Sequence, residues 1–213
     1  MDCTNKKKLK VIYGDAALGV GGIAKGKEFH YIFSYVAGGP ESINIEDQEW
    51  IYRSPRPTFW RASTDNDRGN QFYLKSGVWV AADLFIRCAD IAVFVDGKEV
   101  ALPWAPENNK YSNEEIVDQI KIIYTYETVI QPSTYVQVSY LVKEDGDICV
   151  DVHYEGKEGL PQFPVFGMRF IMPTCADKFI YEGLSGETYP DRKAGGIWGI
   201  HEVEGLPVTP YLR

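Results

Sequence analysis

The chain has 213 residues, of which 45% are hydrophobic, 14% aromatic and 24% charged, and its formal net charge is −8 at pH 7. This length is sufficient for one large domain with a sizeable core, and the acidic balance argues against a nucleic-acid partner, since phosphate binding needs clustered Lys and Arg. No run approaches the roughly 18 apolar residues of a membrane helix, and no apolar segment follows the charged start of the chain, so neither a membrane span nor a secretory signal is predicted.

The predicted elements begin after a basic start, residues 1–8, which we expect to be a disordered tail. Strands are expected near 9–13, 28–35 and 41–52, where apolar and aromatic residues are frequent. The glycine-rich stretch 19–26 lacks the following amphipathic helix that a phosphate-binding loop needs. The cysteines are widely scattered and form no CxxC pair, which indicates reduced thiols in a cytoplasmic protein: Cys3, Cys88, Cys149 and Cys175.

A dense polar cluster follows in FWRASTDNDRGN, residues 59–70. After Arg61 it brings two carboxylates, an amide and a guanidinium close together in Asp65, Asn66, Asp67, Arg68 and Gly69. A metal loop, a sugar-binding loop and a solvated turn all fit this composition. The EF-hand positions that need Gly and Glu, counted from Asp65, are Asn70 and Ser76, so no metal site is predicted here.

One short helix is predicted directly after this cluster, in QFYLKSGVWVAADLFI, residues 71–86. Its apolar residues recur at roughly helical spacing, and Asn70 can cap its start: Phe72, Trp79, Ala82 and Ile86. The N-terminal amides and dipole of such a helix would hold the carboxylates of the preceding loop. A tight hairpin is then predicted at Asp96-Gly97, followed by a long Pro- and Asn-rich connection over 102–112.

The second half of the chain alternates with period 2, which is typical of antiparallel strands with one buried and one wetter face. The segments are 119–130, 134–142 and 147–154, and Asp145-Gly146 suits a tight turn between the last two. The residues predicted to share the buried faces are Ile120, Ile122, Tyr124, Tyr126, Thr128, Val136, Val138, Tyr140, Val142, Ile148, Val150, Val152 and Tyr154. Because these strands do not alternate with helices, we expect an all-β fold, a large antiparallel β-sandwich with one short helix, and not a (β/α)₈ barrel.

Strands expected near 165–173 and 178–182 lead into a second polar and aromatic cluster, YEGLSGETYPDRKAGG, residues 181–196. Sugar sites are often built from such groups, with charged side chains on the hydroxyls and aromatic faces on the ring: Glu182, Glu187, Tyr189, Asp191 and Arg192. Two glutamates can form an acid and nucleophile pair, but the sequence does not fix their separation, and one structural and one solvated Glu is the simpler interpretation. No Ser-His-Asp order, Walker loop or dinucleotide fingerprint occurs, so no catalytic residue and no metal ligand is assigned.

Both clusters carry a resemblance to a known family. FWRASTDNDRGN with the Trp-containing segment after it, and YEGLSGETYPDRKAG followed by LPVTPYLR, resemble the C-terminal β-sandwich of family 2 β-galactosidases. The chain more closely resembles the small subunit of the two-chain β-galactosidases of lactic-acid and related bacteria. The resemblance runs from about Leu9 to Arg213 and therefore predicts one domain over residues 9–213.

The resemblance implies a galactose mutarotase-like supersandwich that is the accessory, non-catalytic part of an enzyme hydrolysing terminal β-D-galactosides such as lactose. The catalytic glutamates would lie on a (β/α)₈ barrel in a large subunit, so the implied partners are that subunit and a galactoside, and this chain alone would be inactive. No cofactor is expected in this chain, since Mg²⁺ or Na⁺ would be bound only by the barrel. The loop matching Asp65 to Gly69 would lie at the rim of the galactoside site or at the subunit interface, with Gly69 as a hinge.

The resemblance also implies that the family's sandwich continues for on the order of 100 residues past the motif TPYL, so that the sandwich would be incomplete in this chain. An incomplete sandwich leaves strand edges open and favours self-association. Two alternatives to an accessory subunit stay open, a free-standing galactoside-binding module and an aldose-1-epimerase-like enzyme with a His and Glu acid-base pair. The epimerase needs a histidine and a carboxylate that converge in a cleft, whereas His153 is predicted on the outer face of its strand.

Overall fold

The computed structural model describes residues 9–102, 115–173, 177–185 and 196–205. The tail predicted over 1–8 and most of the connection predicted over 102–112 lie outside these residues. The chain divides into two compact units, Met1–Pro173 and Thr174–Arg213.

Antiparallel strands form most of the regular structure. In chain order the elements are β1 (Leu9–Tyr13), β2 (Ala17–Ala24), β3 (Lys27–Ser34), β4 (Gly39–Ile45), β5 (Gln48–Glu49), β6 (Arg53–Thr58), α1 (Asp65–Gly69), α2 (Phe72–Ser76), a 3₁₀ turn (Gly77–Trp79), β7 (Arg87–Val95), β8 (Lys98–Val100), β9 (Glu115–Val117), β10 (Gln119–Glu127), β11 (Tyr135–Lys143), β12 (Ile148–Tyr154), β13 (Gly167–Ile171), β14 (Lys178–Ser185) and β15 (Ile197–Glu204).

The first unit is a sandwich of two antiparallel sheets. One sheet has six strands in the order β5-β4-β3-β2-β1-β9, and the other has five in the order β12-β11-β10-β7-β8. Strands β6 and β13 form a separate two-stranded ladder. The all-β sandwich predicted from the alternation is confirmed, and the described residues contain two short helices beside it.

The core lies between the two sheets, to which both contribute alternate side chains of one continuous cluster. The rings of Phe33 and Tyr140, from opposite sheets, lie 5.8 Å apart, and the Tyr31 hydroxyl donates to the carbonyl of Gly146 at 2.8 Å. The predicted inward set is confirmed on β10 and β11, where these residues are buried. On the edge strand β12 the same face is only half covered, and Val150 is 39% exposed.

Strands β2 and β6 were not predicted from the sequence. The four glycines of β2 and its neighbouring turn obscure its alternation, because glycine contributes no apolar side chain. Strand β6 contains Pro55 and Pro57, which lack an amide donor, and among the described strands it pairs only with β13. Prolines are tolerated in such an edge position, where one side of the strand needs no ladder partner.

The helix predicted over 71–86 with Asn70 as its cap is wrong in its bounds. Helical structure begins earlier, at Asp65, and Gln71 interrupts it with left-handed backbone angles, φ 56° and ψ 38°. A second helical turn ends in the 3₁₀ turn at Trp79. Trp79, Ala82 and Ile86 are nevertheless buried, so the predicted core-facing residues are confirmed although no continuous helix carries them.

The second unit is described as one antiparallel hairpin of β14 and β15. The strand predicted near 178–182 is confirmed and extends to Ser185. At the open end, the amide of Gly205 donates to the carbonyl of Asp177 at 2.6 Å. None of the helices in the described part of the chain is long and apolar enough to span a bilayer.

Candidate functional site

The first polar cluster lies on an excursion of the chain whose two ends meet in the core. The excursion begins at Phe59 and ends at Trp79. Both residues are buried, and their rings stack with centroids 5.3 Å apart. The rings of Phe163 and Phe166 lie 6.0 and 5.9 Å from that of Phe59. Aromatic packing therefore closes the base of the excursion, whereas α1 within it contains no buried residue.

A reciprocal cap starts α1. The Thr64 hydroxyl accepts from the backbone N–H of Asp67 at 3.2 Å, and Oδ2 of Asp67 accepts from the backbone N–H of Thr64 at 2.8 Å. This is a capping box, with aspartate in place of the usual glutamate three residues after the cap. The cluster predicted as a loop before a helix is thus itself a capped helical turn.

Arg61 and Asp67 form a two-pronged ion pair. Nη1 of Arg61 donates to Oδ2 of Asp67 at 2.6 Å, Nη2 donates to Oδ1 at 3.2 Å, and Nη1 also donates to the Ala62 carbonyl at 2.9 Å. The hydrogen bonds from Arg61 and from the Thr64 amide hold the pKa of the Asp67 carboxyl well below its usual range. Asp67 is therefore a fixed acceptor at neutral pH and not a proton donor.

The other members of the cluster face solvent. Nη2 of Arg68 donates to Oδ1 of Asp65 at 2.8 Å, in a pair whose side chains are 57% and 67% exposed, and Asn66 is exposed too. Gly69 has no other atom within 4 Å of the position that a Cβ would take, and its φ is outside the left-handed region. The left-handed residue is Gln71, so the hinge at Gly69 stays a prediction.

This arrangement separates a fixed inner pair from an exposed outer set. The outer carboxylate, amide and guanidinium can accept from and donate to sugar hydroxyls. Residues 59–70 contain no histidine or cysteine, so they supply no nucleophile paired with an imidazole base. The exposed groups of the cluster are suited to binding and positioning a ligand.

A groove of about 560 Å³ lies along β7, away from the predicted clusters. Its lining includes Tyr35, Arg56, Cys88, Asp90 and Glu99 but no residue of 61–69. Burial raises the pKa of the Cys88 thiol, which therefore stays protonated and unreactive near neutral pH. Cys88 and Cys149 are free, and the other two cysteines lie outside the described residues.

The second predicted cluster is described only in part. Glu182 is exposed on β14, opposite Ile200 of β15. The remaining predicted members, Glu187, Tyr189, Asp191 and Arg192, lie outside the described residues. The assignment of this cluster to a sugar site stays a prediction.

The histidines do not build an acid-base site in the described part of the chain. His153 is exposed on β12, as predicted, and His201 packs its ring 5.3 Å from that of Tyr181. His30 lies 3.2 Å from Glu28, but both side chains are more than half exposed, at 62% and 67%. Over the same described residues, no group of three or more His, Cys, Asp or Glu could hold a metal ion.

Sequence reasoning missed Thr64. The Thr64 hydroxyl accepts from the Asp67 backbone amide, and the Thr64 amide donates to the Asp67 carboxylate. Without Thr64, the ion pair of Arg61 and Asp67 would not be fixed to the start of α1. The spacing Thr64-x-x-Asp67 is the signature that could have revealed it, since a Thr followed three residues later by an acidic residue predicts a capped helix start.

Comparison with known proteins gives a consistent set of relatives. Residues 25–213 match the family described as Beta galactosidase small chain. The chain is 61% identical over 206 residues to the β-galactosidase small subunit of Latilactobacillus sakei, covering 97% of this chain and 64% of that protein. It is 36% identical to a β-galactosidase of Clostridium acetobutylicum and 28% identical to one of Streptococcus thermophilus, covering 20% and 18% of those proteins. The chain thus spans less than two thirds of the small subunit and about a fifth of the longer relatives.

Proposed function

The chain belongs to the β-galactosidase small-chain family, and from this we propose that it is the accessory, non-catalytic part of a β-galactosidase whose large subunit carries the catalytic barrel. The observation that carries the proposal is the 61% identity to a β-galactosidase small subunit along 97% of the chain. The substrate class proposed with it is a terminal β-D-galactoside such as lactose.

The longer relatives support a division of labour between two chains. In the Clostridium acetobutylicum β-galactosidase the segment similar to this chain is 20% of the protein, so four fifths of that enzyme lies outside the similar segment. The small-subunit relative shows that such a segment also exists in a protein named as a separate subunit. We propose that the catalytic glutamates, and any Mg²⁺ or Na⁺, belong to the large subunit.

The geometry of the 61–69 loop supports a place at the rim of the galactoside site. Its inner pair of Arg61 and Asp67 fixes the shape of the loop, while Asp65, Asn66 and Arg68 leave polar groups facing solvent. A ligand held only from one side would be bound weakly by such an open surface. We therefore propose that the large subunit completes the site. The scattered cysteines, two of which are free thiols, support a cytoplasmic location.

Hydrolysis of a chromogenic β-galactoside tests the proposal directly. The purified chain, the purified large subunit and an equimolar mixture are assayed side by side, and the expected result is strong activity in the mixture only. A sample of the chain heated to unfolding and then mixed is the control for unspecific protein effects.

Each other outcome would contradict a stated part of the proposal. Activity of this chain alone would show that it contains its own catalytic residues. Full activity of the large subunit without the chain would remove the accessory role. Galactose binding by the chain, with no gain in activity and no binding to the large subunit, would establish a free-standing galactoside-binding module instead.

A further inference from the structure

The segment from Tyr73 to Phe85 exposes six large apolar side chains. The exposed fractions are 50% for Tyr73, 68% for Leu74, 42% for Val78, 52% for Val80, 65% for Leu84 and 67% for Phe85. Single exposed apolar residues are normal on a protein surface, but a concentration of this kind in one short segment marks an interaction surface. We call residues 73–85 the apolar segment.

The apolar segment is held firmly from below. Trp79 is 1% exposed and its indole N–H donates to the carbonyl of Pro161 at 2.7 Å. Asp83 accepts from Nη1 of Arg169 at 3.0 Å, and Ala82 and Ile86 are buried in the core. Because these anchors directly flank Val80, Leu84 and Phe85, those exposed side chains cannot turn inward without breaking the buried contacts.

The composition of the segment also fits the centre of an interface. Between Phe72 and Ile86 the only charged residues are Lys75 and Asp83, and Asp83 is already paired with Arg169. Interface centres are depleted of charge and enriched in aromatic and large apolar residues. A rigid surface of this kind loses little conformational entropy on binding, which favours affinity.

We propose that the apolar segment is the docking surface for the large β-galactosidase subunit, a proposal that rests on the proposed function. Two observations select this occupant. The similar segment in the longer relatives is about a fifth of a chain, so there it is covalently joined to the rest of the enzyme, the part that the large subunit would supply here. The apolar segment also directly follows the 61–69 loop, and α1 and α2 contact each other, so a partner that completes the site at that loop reaches the apolar segment as well.

Binding of the purified large subunit to the full chain tests the proposal. The variant Leu84→Ser with Phe85→Ser removes two of the most exposed apolar side chains, and Leu74→Ser with Val80→Ser tests the same surface independently. The matched control is Val36→Ser with Tyr135→Ser, whose side chains are 85% and 48% exposed at other places in the fold. Circular dichroism confirms that each variant is folded, as expected for exposed positions.

The expected dissociation constant for the large subunit is at least about tenfold larger than that of wild type for both apolar-segment variants, and within about twofold of wild type for the control. Unchanged affinity in both variants, with wild type binding normally, would overturn this inference and leave the proposed function intact. Failure of the wild-type chain to bind the large subunit would overturn the proposed function itself. Loss of self-association in the variants, with large-subunit binding unchanged, would assign the segment to contact with a second copy of this chain and overturn the proposal.

Discussion

Replacing Asp67 by alanine is the sharpest test of the 61–69 loop. The change removes three hydrogen bonds, two from Arg61 at 2.6 and 3.2 Å and one from the Thr64 amide at 2.8 Å. Of these partners, Arg61 retains its contact with the Ala62 carbonyl. The core is not touched, because no residue of α1 is buried.

The size of the effect follows from these contacts. Loss of the capping contact costs about 1 kcal/mol, and loss of an exposed two-pronged ion pair costs up to about 1 kcal/mol. A change of about 1–2 kcal/mol in favour of other loop shapes lowers the relative population of the observed shape by a factor of about 5–30. We expect kcat/KM of the assembled enzyme to fall by up to that factor, and the free energy of unfolding of the chain to fall by no more than the same amount of about 1–2 kcal/mol, the sum of the two lost contacts.

The assay is hydrolysis of a chromogenic galactoside by the large subunit with saturating wild-type or variant chain, so that assembly is complete in every sample. Glu127→Ala is the matched control, because Glu127 also pairs with an arginine, Arg87, and accepts from Ser133 at 3.0 Å, but lies on the sandwich. Its side chain is 21% exposed, close to the 15% of Asp67. We expect kcat/KM within about twofold of wild type for this control.

The pH dependence provides a second readout of the same loop. A carboxyl whose folded pKa is depressed contributes stability above its unfolded pKa, about 3.9 for Asp, and loses that contribution as the pH falls from there through the folded pKa. The ratio of wild-type to Asp67→Ala activity should therefore be constant between about pH 5 and pH 8. Equal kcat/KM for wild type and Asp67→Ala would refute the placement of the loop at the active-site rim, and a ratio that titrates near neutral pH would refute the role of Asp67 as a fixed anion.

Three further predictions concern the sandwich and are checked by urea unfolding. The Tyr140 hydroxyl is buried without a hydrogen-bond partner in the described part of the chain, whereas the Tyr126 hydroxyl donates to the Gly38 carbonyl. Tyr140→Phe should therefore leave the free energy of unfolding unchanged or raise it, and Tyr126→Phe should lower it by about 1 kcal/mol. The opposite order of the two variants would contradict this. Gly38→Ala should cost at least about 2 kcal/mol, because φ is 64° and the new Cβ would lie 2.6 Å from the Cβ of Cys88, and a smaller loss would mean that the turn relaxes. Although partial burial opposes it, four hydrogen bonds hold the pKa of Glu49 below its usual range. Glu49→Gln should lower the free energy of unfolding at pH 7, and the difference between wild type and variant should shrink as the pH falls below about 4.3. A difference in unfolding free energy that does not change with pH would contradict the role of the charge.

The parts of the fold that were predictable from sequence are those decided by which face is buried. Strands β10 and β11 alternate without interruption, so one face had to lie in the core whatever the partner, and the structure buries it. The turns at Asp96-Gly97 and Asp145-Gly146 were readable because glycine tolerates positive φ, which is 79° at Gly97 and 80° at Gly146. The two predicted turns are confirmed, because each joins two strands that pair as an antiparallel hairpin.

The sequence selected Arg61 and the cluster from Asp65 to Gly69 as candidates, but it predicted neither their arrangement nor the part of Thr64 in it. Composition alone selected Arg61 and Asp67, yet their pairing depends on the Thr64 cap and on the interruption at Gln71, which no periodicity shows. The apolar segment was hidden for a related reason. Leu74, Val80 and Phe85 are as apolar as the buried residues between them, and only the path of the chain decides which of them face solvent.

The stacked pair of Phe59 and Trp79 links the two surfaces to which we propose a function. It closes the excursion at its base, so the 61–69 loop on one side and the apolar segment on the other leave the core at one point. Helix α1 in the loop contains no buried residue, whereas Trp79 fixes the apolar segment through the hydrogen bond from its indole to the Pro161 carbonyl. If the large subunit docks on the apolar segment as proposed, it would restrain one end of the polar loop directly and would position ligand contacts without any rearrangement of the sandwich.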